Sequence, residues 1–449
     1  MNNIDFKKLV EPYEEEMLQT LKELVAIPSV YDENTASEDA PYGVEAKKAV
    51  LYMQKLAESK GFKTEIVGNR CVQITYGDKG TEVGIFGHLD VVPLGTGWVH
   101  DPLGCEVENG IMYGRGVSDD KGPVVASFYA ALALKENHLL DNFRLRMVLG
   151  SDEERGSSCL KYYFEEAKKP AVDTGFTPDA EYPLIYAEKG ITNYELKGNI
   201  NLGDDIISIS AGVASNVVIS EATIEVNNVE GFAQFLAHQD VKYKVDGNKV
   251  TFLGKSAHGS TPELGINAGV IMLKYAGEYY NSEVLKLLAK QYEDYNGRGL
   301  RHCIEKPALG KTTYNVGIIS YENYSFNMVV NFRFPEDVDG EKVISEIQDI
   351  SPLPIYYGEV LKVLYFDPNS KLVSTLMDVY QDETGDLESK PLAIGGGTYA
   401  KEAKNIVAFG PTFVGRNYKM HEADEEIPVQ DLKDNLRIYA HAIYALGNK

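Results

Sequence analysis

Several loops of this chain carry imidazoles and carboxylates of the kind that hold divalent cations. In "GIFGHLDVVPLGTGW" (84–98) an apolar run ends on His88, with Asp90 two residues on. In an extended chain residues i and i+2 face the same side, so the pair could bind something together or be an ordinary polar strand end. "GRGVSDDKG" (114–122) sets Asp119 and Asp120 at a helix start, where capping would also place them. "GSDEERGS" (150–157) lines up Asp152, Glu153 and Glu154 after another apolar run, "TPDAEYP" (177–183) holds Asp179, and "NYKMHEADEEIP" (417–428) holds His421. Each stretch alone reads equally as a cap, a turn or a solvated charge run. Together they supply the inventory of a dinuclear hydrolytic zinc site: two imidazoles, several carboxylates, one of them bridging, and a free carboxylate to shuttle a proton.

These loops need a scaffold, and the hydropathy pattern predicts one. Helical periodicity covers 5–27 (Phe6, Leu9, Val10, Met17, Leu18, Leu21, Leu24, Val25) and ends at Pro28; further helices fit 43–60, 120–137 and 157–167. Strands fit "KTEIVG", "CVQITYG", "EVGIFGHLDVV" and "RLRMVLGSDEE". Strands alternating with covering helices predict an α/β domain, a mostly parallel mixed sheet flanked by helices, with functional groups at the carboxyl ends of the strands. After about residue 187 short alternating strands interleave with helical patterns at 229–239, 265–279, 282–292 and 340–349, the texture of an α+β domain. The first texture returns at about 367. The expected organisation is a discontinuous catalytic domain, 1–187 plus 367–449, with a lid domain inserted at 188–366.

Composition narrows the partners. The 67 acidic against 44 basic residues leave a net charge of −23, which argues against nucleic acid and anionic membranes, since both rely on clustered Lys and Arg. Four scattered cysteines (Cys71, Cys105, Cys159, Cys303) suit a reducing compartment. The acid-rich N-terminus does not read as a signal peptide, and no window approaches the ~18 apolar residues of a membrane span. A cytoplasmic protein is expected.

The stretches "GHLDVVP", "GRGVSDDKG", "GSDEERGS", "TPDAEYPLIYAEKG", "GKSAHGSTPELGINA", "GGGTYAK" and "MHEADEEIP" occur in an order that resembles the M20 di-zinc metallopeptidases, and among them the PepV-like dipeptidases. The resemblance runs from about residue 80 to 430. It implies that His88 and Asp179 bind one metal ion, that His421 and Glu154 bind the other, and that Asp119 bridges them. Glu153 would be the general base acting on a water shared by the ions, and Asp90 would orient the His88 imidazole, as carboxylates commonly do for metal-bound histidines. A cis peptide between Asp119 and Asp120 is implied as well. From the inserted domain, His258 would stabilise the oxyanion, and Asn216 and Arg333 would hold the peptide backbone and terminal carboxylate; from the returning catalytic segment, Gly396 and Gly397 would offer N–H groups to that carboxylate.

The implied activity is hydrolysis of dipeptides or short peptides with free termini, using two divalent ions, Zn²⁺ first, with Mn²⁺ or Co²⁺ as alternatives that N/O ligands also bind. The size of the insert, which would supply His258 within the same chain, implies a monomer. Two alternatives remain: a deacylase of N-acyl or N-succinyl amino acids, and a non-catalytic peptide-binding homologue. His100, His138, His238, His302 and His441 lie outside the matching stretches and read as structural, and Trp98 reads as packing.

Overall fold

In the computed structural model, which describes residues 4–448, the apolar run ending at His88 is the strand Glu82–His88, buried at every position. Such unbroken burial is the signature of a strand covered on both faces. Its neighbours on either side, Arg144–Gly150 and Thr174–Thr177, run parallel to it, and Ile406–Ala408 runs parallel to Thr174–Thr177. The sheet is therefore parallel at its centre. Its margins are antiparallel: Cys71–Tyr76 joins Arg144–Gly150 and then Lys63–Val67 on one side, and Ile185 pairs with Ala408 on the other. A tight turn suffices to join the marginal pair Lys63–Val67 and Cys71–Tyr76, whereas the parallel central strands need crossovers.

The principal crossover helix, Lys121–Glu136, is buried along nearly its whole length. A helix apolar all round must be enclosed, and the closing helix Val429–Asn448 shares its core. Two expected helices are modified. The helix read over 5–27 is Phe6–Val10 and Glu14–Val25 joined by a 3₁₀ turn, Glu11–Tyr13, because Pro12 cannot donate within an α-helix. The helix read over 157–167 begins as Ser158–Lys161 and widens into a π turn, Tyr162–Glu166.

Two compact units result. The first comprises 1–186, 366–392 and 398–449; the second comprises 187–365 and 393–397. The second unit is built on an antiparallel sheet ordered Tyr243–Asp246, Lys249–Leu253, Glu221–Val226, Ile206–Ala211, Thr313–Glu322, Ser325–Phe334, Gly190–Asn199, Ile355–Tyr357. The helices Val229–Leu236, Ala268–Tyr279, Glu283–Tyr292 and Gly340–Gln348 close its separate core. Among the described residues no helix is long and apolar enough to cross a membrane.

Candidate metal centre

Parallel neighbours share a direction, so their carboxyl ends open on one edge of the sheet. His88 closes its strand there, Glu153 and Glu154 follow Gly150, and Asp179 follows Thr177. The Asp119 loop precedes the buried crossover helix, and its Asp119–Asp120 peptide is cis. Two sets of donor atoms result, each within 4.8 Å: His88, Asp119 and Asp179 form one, and Asp119, Glu154 and His421 the other.

Asp119 belongs to both. Its Oδ1 lies 3.0 Å from His88 Nε2, and its Oδ2 lies 2.9 Å from His421 Nε2. Asp179 Oδ2 stands 3.6 Å from the first imidazole and Glu154 Oε2 3.2 Å from the second. His88 is wholly buried, whereas the His421 side chain is 56% exposed, with its backbone in the left-handed region at φ 65°.

His88 is held from three directions. Its N–H donates to Asp120 Oδ2 at 3.0 Å, and its Nδ1 is 2.9 Å from the main-chain oxygen of Asp90. The Asp90 carboxylate is farther from that nitrogen, at 3.5 Å, and takes up two other bonds: the N–H groups of Glu153 and Glu154 donate to its two oxygens at 3.1 Å each. Asp90 thus steadies the imidazole largely through its backbone, and its side chain arranges the two glutamates. With Nδ1 occupied, Nε2 faces the carboxylates. Gly87 permits the close approach of Asp120, since a Cβ there would lie 2.7 Å from Asp120 Oδ2.

The electrostatics show what this arrangement can accept. Burial and the charge of Asp119 push Asp179 up to about 7, and burial with Asp119 raises Glu154. Burial and Asp179 push Glu153 well above the usual carboxylate range. Asp119 alone goes the other way: its bonds to His421 and His88 outweigh burial and hold it low. Asp119 and Glu154 raise His421, and Asp119 and Asp90 raise His88 against its own burial. Enclosed carboxylates in excess of their imidazole partners are a donor set that divalent cations neutralise, and N/O chemistry of this kind suits Zn²⁺, Mn²⁺ or Co²⁺. Glu153 belongs to neither donor set, and among the described residues its carboxylate accepts no hydrogen bond.

The other residues singled out by sequence lie in the second unit. His258 is exposed, with Nδ1 2.6 Å from Ser260 Oγ; Gly259 N–H donates to the Asn216 carbonyl at 2.6 Å. Arg333 is buried. Its Nε donates to Asn331 Oδ1 at 2.8 Å, its Nη1 donates to the Gly395 carbonyl next to Gly396 and Gly397, and burial lowers it to about 10.

Sequence reading passed over several supporting residues. Asn315 donates to the carbonyls of Ser215 and Val217, on either side of Asn216, at 2.7 and 3.1 Å. Tyr399 sets its ring edge-on to His88, with centroids 6.0 Å apart, and its hydroxyl meets Cys159 Sγ at 2.9 Å. Asp424 accepts from His100 Nδ1 and from the His100 N–H, both at 3.1 Å. Glu425, buried beneath the Asp119 loop, was signalled only by the acidic run after His421.

The chain has relatives among known proteins. Residues 84–445 match the profile of peptidase family M20/M25/M40. A protein of Staphylococcus epidermidis, provisionally named a dipeptidase, is 35% identical, covering 98% of this chain and 99% of its own. A protein of Staphylococcus haemolyticus with the same provisional name is 33% identical over the same shares. Among solved structures, the dipeptidase Dug1p of Saccharomyces cerevisiae superposes with a TM-score of 0.62 at 14% identity, covering 99% of this chain and 98% of that one. Human carnosine dipeptidase 1 superposes with a TM-score of 0.59 at 15% identity, covering the same shares. These two likenesses are of fold.

Proposed function

This chain belongs to the M20/M25/M40 peptidase family, and on that premise we propose that it is a dipeptidase that uses two divalent cations, Zn²⁺ first among them, to cleave short peptides with free termini. The observation that carries the reading is the sharing of Asp119, one oxygen toward each imidazole, with a further carboxylate beside each. His88, Asp119 and Asp179 would hold one cation, and Asp119, Glu154 and His421 the other. When bound, the cations would polarise the scissile carbonyl and acidify water near neutral pH.

The chain's own residues do the rest. The Glu153 carboxylate takes the proton of the attacking water and returns it to the leaving amine. Its oxygens, which accept no hydrogen bond among the described residues, fit a group that must gain and lose a proton. Asp90 holds the N–H groups of Glu153 and Glu154, so that base and ligand stay in register.

To the second unit we assign, from the motif resemblance, an oxyanion donor (His258) and groups for the peptide backbone and terminal carboxylate (Asn216, Arg333, Gly396, Gly397). Support for these comes from within that unit, where Asn315 fixes the turn of Asn216 and the Gly395 carbonyl orients Arg333. The expected assembly is a monomer.

The test is a substrate panel after removal of metal by a chelator and re-addition of Zn²⁺, Mn²⁺ or Co²⁺ singly. Free dipeptides should be hydrolysed only in the metal-restored protein, and faster than N-acetyl or N-succinyl amino acids. A reversed preference would make the protein a deacylase. Full activity after chelation would remove the metal-dependent mechanism altogether.

A further inference from the structure

Glu425 is fully buried and collects an unusual set of donors. Its Oε1 accepts from the N–H groups of Gly116, Ser118 and Asp119, at 3.1, 3.1 and 3.2 Å, and from the Ser118 hydroxyl at 2.8 Å. Its Oε2 accepts from Arg115 Nη1 at 2.8 Å, and its main-chain oxygen accepts from the Gly114 N–H at 3.0 Å. The loop that presents Asp119 is thus wrapped round one carboxylate, four residues beyond His421. Glu425 touches neither imidazole. Its bonds join the segment carrying His421 to the loop carrying Asp119.

The two cation sites depend on this join unequally. Asp119 is kept near His88 by a separate bond, from the His88 N–H to the carboxylate of the next residue, Asp120. The segment carrying His421 is joined to the chain before the Asp119 loop by the pairing of Glu426–Pro428 with Ile111–Tyr113. Among the described residues, however, the bonds that reach Ser118 and Asp119 from that segment, other than the His421 contact itself, come from the Glu425 carboxylate. The His421 side chain is itself 56% exposed. We propose that Glu425 is a positioning residue that sets the Asp119–Glu154–His421 cation site by tying its two carrying segments together, and that its loss weakens this site selectively. The inference rests on the two-cation reading above. A carboxylate that merely stapled a loop would lower stability without distinguishing the sites.

The experiment titrates the metal-free, full-length protein with Zn²⁺ against a chromophoric chelator and with Co²⁺ followed by visible absorption. Wild type, Glu425→Gln and Ser118→Ala are compared with His421→Ala as the reference for an intact His88 side. Glu425→Gln should fill one site with wild-type affinity and the other about 10–100-fold more weakly, the usual effect of losing an outer-shell partner. The first-equivalent Co²⁺ spectrum should match that of His421→Ala. Ser118→Ala, which keeps the charge and loses one donor, should shift the same site in the same direction by a smaller factor.

Equal weakening of both sites in Glu425→Gln, or none, overturns the inference. Should Glu425→Gln fail to fold, Ser118→Ala decides, and an unchanged or equally weakened pair of sites there overturns it. A wild-type protein that binds fewer than two cations refutes the dinuclear reading itself, and is told apart by appearing before any substitution is made.

Discussion

Replacing Glu153 by glutamine isolates proton transfer from metal binding. Glu153 stands in neither donor set and accepts no hydrogen bond on its carboxylate among the described residues, while its main chain is held by Asp90. Glutamine has the same size, so the loop and both cation sites should survive and only the proton acceptor is lost. Such groups contribute roughly 10²–10⁴-fold, which at about 1.36 kcal/mol per factor of ten is about 2.7–5.4 kcal/mol of barrier. The assay is steady-state hydrolysis of a free dipeptide by Zn²⁺-loaded protein, with metal content measured on the same samples. kcat should fall by the stated factor while KM and the two-cation content stay put. The acid limb of the pH profile should vanish with it, because a general base acts only in its deprotonated form. Activity within about fivefold of wild type, with metal retained, would refute the role. Loss of a cation would show that Glu153 is a ligand.

Other perturbations address the scaffold and the second unit. Arg333→Met should lower kcat/KM for free dipeptides by about 10–100-fold, the worth of a charged hydrogen bond of roughly 1.5–3 kcal/mol, and should leave C-terminally amidated dipeptides nearly unaffected; an equal loss for both would remove the carboxylate role. Gly87→Ala places a methyl 2.5 Å from a Val124 methyl and 2.7 Å from Asp120 Oδ2, so urea unfolding should show a loss of about 1–3 kcal/mol, and unchanged stability would contradict the packing described. His100 should titrate above the ordinary histidine value of 6.5, since Asp424 favours its charged form. The clamp between them is therefore intact below that value and weakens as pH rises through the folded titration. Carbon-detected NMR of labelled histidines should show Asp424→Asn returning His100 toward 6.5, and an unmoved titration would exclude Asp424 as the cause.

Much of this molecule is legible one segment at a time. The helices at 43–60 and 120–137 and the strand into His88 follow from periodicities of 3.6 and 2, which are properties of neighbouring residues. The donor types at the strand ends are legible for the same reason. Pro12 shows how one residue splits a helical pattern that is otherwise unbroken.

What the chain alone leaves open are pairings between distant segments. The antiparallel margins of the sheet depend on which strand finds which neighbour, not on the strands' own patterns. His88 and Asp90 illustrate the limit: alternation puts them on one side, yet the chain leaves the strand at His88 and the backbone of Asp90 supplies the nearer contact. The Asp90 carboxylate could turn to Glu153 and Glu154 only because those residues follow a strand that runs beside the one leading to Asp90. Glu425 is the extreme case. It is one more acid in an acidic run, and only the folded chain brings it to Asp119, 306 residues away, to bury it among five donors. Local sequence determines which groups are available at each strand end, because periodicity and turn chemistry act over a few residues. Tertiary packing decides which of them share a proton, a cation or a hydrogen bond, because those interactions act over a few ångströms regardless of separation along the chain.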